Sequence, residues 1–275
     1  MFKFRRKKRA DEDIFKFDLD DIAPEKKRGL TMALTLFFAL FFVILAVGSY
    51  LLISSRLSRP SVPEGEIKIT IYEGVSTRDM AGIFANAGLF GKDDFIKAAA
   101  PYEGYLFPDT YRFYRSSTPT DVVLKMKKNF EEKITAEMKA EIEQRGHTLE
   151  EVVIMASILE KEVAKDADRK IVSGILWKRL EIGMGLQVDA TLDYILNKTS
   201  SELTQDDLKI DSPYNTYLYR GLPKGPISSP GLGSIDAAIN PTVTNYLFYL
   251  SDPEGNMHYA VDFEGHKLNK IKFIK

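Results

Sequence analysis

The sequence has no cysteine among its 275 residues. This absence excludes disulfide frameworks, thiolate nucleophiles and metal sites with cysteine ligands. A protein without cysteine is also suited to an oxidising compartment, where free thiols are liable to form disulfides.

Histidine is scarce as well, and the net charge is only −1. Three imidazoles, at His147, His258 and His266, are too few and too scattered for a zinc site. A net charge near zero gives no overall attraction to nucleic acid. The sequence contains no glycine-rich phosphate loop, nucleophile elbow or internal repeat. We therefore expect no metal, no cofactor and no nucleic-acid partner.

Charged residues are absent from residues 30–53, which are mostly apolar. A membrane-spanning helix needs about 20 such residues, and a signal peptide has a much shorter apolar region. Basic residues are concentrated before the run, which by the positive-inside rule leaves the N-terminus in the cytoplasm. The sequence thus predicts a single-pass anchor, with everything after it outside the membrane.

Residues 65–100 predict a small unit with one strand and two helices. Ile67, Ile69 and Ile71 alternate with polar or aromatic neighbours, as in a half-exposed strand. Ser76 is a suitable N-cap for the first helix, and the second begins at Asp93. Further along the chain we predict helices over residues 120–145, 169–182 and 234–240, and hairpin strands over residues 246–250 and 258–263.

The most informative stretch is a predicted helix over residues 148–167. Thr148 and Glu151 have the spacing of a capping box before an apolar run. Helical periodicity places Glu160 within the apolar face, and Glu162 well to the side of that face.

A glutamate on an apolar face has two interpretations, because an unpaired buried carboxylate is costly. Glu160 either pairs with a buried arginine such as Arg169 or Arg179, or takes up a proton easily and serves as a general acid. Its position on the helix leaves these alternatives open.

Three other stretches carry candidate site residues. Gln187, Asp189 and Thr191 alternate with apolar residues, so in a strand they face one way, towards a substrate or towards water. Residues 212–229 are too rich in proline and glycine for a helix or strand, and long loops in compact domains are often functional. Residues 103–115 are rich in aromatics, typical of a core, and contain two carboxylates, Glu103 and Asp109, which we interpret as groove-lining or structural.

Several of these stretches together resemble the MltG (YceG-like) family of endolytic murein transglycosylases. The resemblance runs from about residue 67 to the C-terminus and rests on five blocks: residues 103–111 (EGYLFPDTY), 156–162 (ASILEKE), 185–191 (GLQVDAT), 212–217 (SPYNTY) and 221–231 (GLPKGPISSPG). The first glutamate of the second block is the family's catalytic acid, which implies that role for Glu160.

The resemblance implies more about the site and the surroundings of the protein. The substrate-facing residues would be Glu103, Gln187, Asp189, Thr191, Tyr214, Asn215 and Tyr217. The substrate would be the peptidoglycan glycan strand, cut between N-acetylmuramic acid and N-acetylglucosamine to leave 1,6-anhydro ends. Such enzymes act on nascent strands at the bacterial cell membrane, which implies cell-wall synthesis enzymes as partners.

The resemblance also implies an α+β fold with a LysM-like module before the catalytic domain. The family usually has an earlier copy of this module that is missing here, and we interpret the remaining copy as a structural lid. The predicted organisation is a cytoplasmic tail (residues 1–29), a transmembrane helix (30–54), a linker (55–64), the LysM-like module (65–100) and the catalytic domain (101–275). Two alternatives remain, a water-using muramidase with a second carboxylate and a non-catalytic wall-binding protein.

Overall fold

The computed structural model describes residues 24–57 and 65–274, without the side chains of 24–31, 33 and 51–57. The chain divides into two compact units, Met1–Pro63 and Glu64–Lys275. Most of the predicted cytoplasmic tail and linker lies outside the described residues. The predicted boundary between residues 100 and 101 falls inside the second unit and stays a prediction.

The first unit contains one long helix, α1 (Pro24–Leu57), which begins before the predicted span. Its apolar side chains are exposed, among them Phe37, Phe42 and Ile44. Among the described residues, no helix satisfies both the length and the apolarity expected of a membrane span. The predicted anchor stays a prediction.

The second unit has a mixed α+β fold that is rich in helices and has two small sheets. Strand β1 (Glu66–Thr70) pairs antiparallel with β2 (Thr110–Tyr114), with Ile67 opposite Phe113. Helices α2 (Thr77–Asn86) and α3 (Lys92–Ala99) pack against this sheet around buried Phe84. Because β2 lies within the aromatic stretch, its alternating pattern was hidden by aromatic residues on both faces.

The predicted helix over residues 120–145 is two helices, α4 (Pro119–Lys133) and α5 (Ala136–Gln144). Ile134 takes an extended conformation, and its side chain is buried. Thr135 then caps α5 by accepting a hydrogen bond from the backbone of Met138. Ile134 therefore stays in the core although the helix is broken at this residue.

Helix α6 (Leu149–Glu162) lies at the centre of the second unit. The predicted capping box is confirmed, since Thr148 and Glu151 bond each other's backbone N–H groups. Every side chain from residue 152 to residue 159 is buried, so this helix is enclosed on all sides. It ends earlier than predicted because Val163 is extended and its carbonyl accepts a bond from the Arg169 guanidinium (3.1 Å).

Helices α7 (Asp166–Glu181), α8 (Asp189–Leu196) and α9 (Leu232–Ile239) pack against α6. They are followed by β3 (Phe248–Ser251), β4 (Met257–Ala260) and α10 (Phe263–Phe273). Helix α9 packs on α6, and β3 pairs antiparallel with β4 as the predicted hairpin. Helix α10 was not predicted; it packs on the hairpin. The expectation of a strand around Asp189 was wrong, because α8 begins at that residue.

Candidate active site

A cavity of about 360 Å³ opens at the C-terminal end of α6. Its lining includes Glu162 from α6, Arg179 from α7 and Tyr249 from β3. Gln187 and Asp189, immediately before and at the start of α8, complete one wall together with Tyr217. Three of the predicted groove residues therefore converge, and they converge around Glu162.

Glu162 is half-buried, and its carboxylate accepts a hydrogen bond from the Tyr249 hydroxyl (3.1 Å). Burial raises the pKa of Glu162 to about 7, and the negative charge of Asp189 adds to that rise, against hydrogen bonds from Tyr249 and the backbone of Ala190. Glu162 lies on a different side of the helix from the apolar stripe, as periodicity predicts, but that side is half-buried and not open to solvent. Because α6 is enclosed on all sides, the side away from its apolar stripe also faces protein.

The residues around Glu162 hold one another in place. The Tyr217 hydroxyl donates a hydrogen bond to the Asp189 carboxylate. The Arg179 guanidinium donates to the carbonyl oxygens of Leu186 (2.6 Å) and Leu247 (2.7 Å), which ties α7 to both neighbouring segments. These bonds fix the cavity wall without using the carboxyl of Glu162.

Gln187 has a positive φ of 50°, which is unusual for a residue with a side chain. Its N–H donates to the carbonyl oxygen of Thr216 (3.2 Å), which holds this conformation. Backbone strain of this kind costs about 1–3 kcal/mol and concentrates at functional sites. Here it turns the chain so that Gln187 and Asp189 line the same cavity.

Glu160 lies in a different environment from Glu162. Its Oε2 accepts from the N–H of Gly231 (2.9 Å) and from the hydroxyl of Ser234 (2.7 Å), at the start of α9. Its Oε1 lies 3.9 Å from the Arg169 guanidinium, and both side chains are less than 10 % exposed, at 8 % and 7 %. The pairing with a buried arginine, one of the two interpretations left open by the sequence, is present. The role of Glu160 as an acid stays a prediction.

A second carboxylate, not predicted from the sequence, lies beside Glu160. The Glu73 carboxylate packs directly on Gly231, so a Cβ at that position would require the Glu73 side chain to shift. Burial, followed by the charge of Glu160, raises the pKa of Glu73. The backbone next to Glu73 is also attached, since Gly74 N–H donates to Ser229 and Ser229 N–H to Val75, both at 2.9 Å.

The other predicted groove residues make internal contacts. Glu103 accepts from the hydroxyl of Thr77 (2.7 Å) and from that of Tyr194 (3.2 Å), which links α2 to α8. Thr191 is fully buried and donates to Val188, so it does not face a groove.

The two remaining candidates also face the interior. Asn215 is fully buried, and its amide donates to the carbonyl oxygens of Leu208 (3.0 Å) and Ile210 (2.8 Å). Tyr214 packs against the core with its ring 5.4 Å from that of Tyr194. These contacts give both residues a structural role, and their contact with substrate stays a prediction.

The cavity residues that sequence reasoning missed include Glu162, Arg179 and Tyr249. Glu162 belonged to the recognised block, but helical periodicity and the family resemblance both favoured Glu160 as the acid. Arg179 was considered only as a partner for Glu160, and nothing in the hairpin marked Tyr249 as close to α6. The one signal that could have identified Glu162 was its place as the second glutamate of the block at residues 156–162.

Comparison with known proteins gives consistent matches. The model of the YceG-like family matches residues 47–272. The endolytic murein transglycosylase of Bacillus subtilis (strain 168) is 34% identical over 174 residues, covering 63% of this chain and 48% of the relative. That of Streptococcus pneumoniae serotype 2 is 36% identical over 178 residues, covering 62% of this chain and 32% of the relative.

A crystal structure of a yceG-like protein from Listeria monocytogenes has a similar fold. It superposes with a TM-score of 0.67 at 31% identity, covering 73% of this chain and 75% of that one. The chain spans about half the length, or less, of the curated relatives it matches. With a family model matched over most of its residues, the chain belongs to the YceG-like family.

Proposed function

We propose that this protein is an endolytic murein transglycosylase in which Glu162 is the general acid. The observation that carries the proposal is a carboxyl whose pKa is raised to about 7 in a cavity lined by Asp189 and Tyr217. A general acid needs a proton near neutral pH and access to substrate, and Glu162 has both. The named activity of the Bacillus and Streptococcus relatives supports the same reaction class.

The reaction needs one carboxyl group, which acts first as a general acid and then as a general base. Glu162 gives its proton to the glycosidic oxygen as the bond to C1 of N-acetylmuramic acid breaks. The C6 hydroxyl oxygen of the same sugar then bonds to C1, and its proton passes to the Glu162 carboxylate. The acid is restored, no water is consumed, and the new end is a 1,6-anhydro sugar. Cutting nascent strands in this way would end their elongation, which is consistent with cell-wall synthesis enzymes as partners.

The test is digestion of purified glycan strands by the full chain, with products measured by mass spectrometry. We expect new ends that are lighter by one water than reducing ends. Reducing ends without anhydro ends would refute the transglycosylase, and the absence of any new end would favour a wall-binding protein. Glu160→Gln and Glu162→Gln variants assayed side by side decide between the two candidate acids.

Asp189 gives the muramidase alternative a specific basis. A hydrolase that uses water needs two carboxyl groups about 5 to 9.5 Å apart, and Asp189 lines the same cavity as Glu162. Digestion in oxygen-18 water separates the two reactions, because only hydrolysis places the label in the new end. We expect no label, and we expect Asp189→Asn to retain turnover.

We further propose that the N-terminal unit anchors the protein to the bacterial cell membrane. The support is the uncharged run of residues 30–53, within a helix whose apolar side chains are exposed. An alkaline phosphatase fused to the C-terminus should be active, and a green fluorescent protein exported there in unfolded form should be dark. The opposite pattern would place the C-terminus inside the cell and contradict the proposal.

We interpret the LysM-like unit, residues 65–100, as a lid held on the rest of the second unit. Support comes from the paired backbone bonds of Gly74 and Val75 with Ser229, and from the bond between Thr77 and Glu103. These attachments favour a structural role over independent binding of glycan.

A further inference from the structure

A second cavity, of about 450 Å³, lies between α2 and α8. One wall comes from the loop and first turn of α2, including Gly74 and Arg78. The other wall includes Lys161 at the end of α6 and Asp193 on α8. The proposed reaction assigns no role to any of these four residues.

This second cavity lies next to the one that contains Glu162. Lys161 precedes Glu162 in the chain, and Asp193 lies one helical turn after Asp189 on α8. The negative charges of Asp189 and Asp193 both act on the carboxyl of Glu162 and raise its pKa. The two cavities are therefore consecutive along α8, as neighbouring subsites for one extended substrate would be.

Three polar groups in the second cavity have spare hydrogen-bonding capacity. A guanidinium carries five N–H donors, and Arg78 uses one of them in a long hydrogen bond to the carbonyl oxygen of Tyr194 (3.4 Å). Lys161 makes a similarly long contact with the carbonyl oxygen of Gly74 (3.4 Å). On Asp193, Oδ2 accepts from Ser200 (2.6 Å), whereas the buried Oδ1 has no partner among the described residues.

Other charged groups in this cavity are already occupied. Asp79 accepts from the backbone and hydroxyl of Ser76 (2.9 and 2.7 Å) as the cap of α2. Glu202 accepts from the backbone of Thr199 (2.8 Å), and Lys198 is paired with Asp207 (2.8 Å). The two cations, Arg78 and Lys161, are thus the charged groups without a short bond to hold them, and Asp193 keeps one buried oxygen without a partner among the described residues.

We propose that this cavity binds the peptide substituent carried by the glycan strand. Arg78 and Lys161 receive a peptide carboxylate, and Asp193 accepts from a peptide N–H or ammonium group. In a peptide-bearing strand the lactyl carboxyl of N-acetylmuramic acid is bound in an amide, so the sugars are uncharged and two cations would gain little from them. A guanidinium and a peptide carboxylate, in contrast, form strong charge-assisted bonds. The inference rests on the proposed function, which places the glycan in the adjoining cavity.

The test compares strands that carry their peptides with the same strands after an amidase has removed them. The full chain should cleave peptide-bearing strands with the higher kcat/KM. Arg78→Ala should lower kcat/KM on those strands about tenfold, mainly through KM, since one charge-assisted bond changes affinity by about that factor. Arg78→Lys should restore part of the loss because it keeps the charge. Arg112→Ala, at an exposed ion pair with Glu66 on the sheet, is the matched control.

Equal kcat/KM values for the two substrates, or an equal loss on both in Arg78→Ala, would overturn the peptide subsite. Direct binding separates this result from failure of the proposed function. Soluble stem peptide titrated against the full chain, followed by NMR, should bind the wild type and bind Arg78→Ala about tenfold more weakly. If peptide binds this way and no strand is cleaved, the subsite stands and the transglycosylase fails. If no peptide binds, the subsite is refuted whatever the activity.

Discussion

Glu160 and Glu162 are two residues apart on one helix, yet their surroundings differ in neighbouring charge and in hydrogen bonding. Residues two apart point about 200° apart around a helix, so the two carboxylates face different sides of α6. Glu160 has two hydrogen-bond donors and an arginine close by. Glu162 also accepts hydrogen bonds, from the Tyr249 hydroxyl and the Ala190 backbone, but burial and the like charge of Asp189 outweigh them and raise its pKa. A saturated, paired carboxylate stabilises a fold, whereas a poorly compensated one holds a proton that chemistry can use.

The largest effect expected from this comparison is on activity. Glu162→Gln keeps the shape of the side chain but cannot donate the proton, so kcat should fall by about 10²- to 10⁴-fold. Strand cleavage measured by mass spectrometry gives the rate, and an unchanged melting temperature would show that the fold is intact. A fully active Glu162→Gln, with an inactive but folded Glu160→Gln, would reverse the assignment and restore the prediction made from sequence.

The next effect concerns stability. Glu160→Ala removes the acceptor for Gly231 and Ser234 and leaves buried Arg169 with less compensation. We expect the free energy of unfolding to fall by about 3 kcal/mol, as measured by urea denaturation. Glu132→Ala, which breaks an exposed ion pair with Lys128, is the control and should change stability by less than about 1 kcal/mol. A Glu160→Ala variant as stable as that control would remove the structural role.

The sequence predicted the features around Glu160 that depend on residues close by in the chain. The capping box of Thr148 and the burial of Glu160 follow from spacings of three or four residues. Glu162 could not be placed in that way, because what encloses it comes from Asp189 and Tyr249, far along the chain. Likewise, the extended Ile134 breaks a helix whose local pattern is continuous, and the positive φ of Gln187 is fixed by a bond to a distant loop.

The pH dependence gives a smaller and more specific test. The carboxyl of Glu162 must be protonated to act, so kcat/KM should fall as the pH rises through about 7. Because the charge of Asp189 raises the pKa of Glu162, Asp189→Asn should move this fall to lower pH by about one unit or less. A pH profile that stays the same in Asp189→Asn would show that Asp189 does not act on the general acid.

The smallest expected effect has the opposite sign. The Tyr249 hydroxyl donates to the charged form of Glu162 and so lowers its pKa, against the stronger effect of burial. Tyr249→Phe removes this donor and little else, since the ring that fills the space is kept. A hydrogen bond to a carboxylate is stronger than one to the neutral acid by about 1 kcal/mol, so the fall in kcat/KM should move to higher pH by somewhat less than one unit. The measurement is the same pH profile of kcat/KM, recorded beside that of Asp189→Asn. The two substitutions around one carboxyl should shift its titration in opposite directions. If both variants shifted the profile the same way, or if Glu160→Gln abolished the fall while Glu162→Gln kept it, the group that titrates in the reaction would not be Glu162.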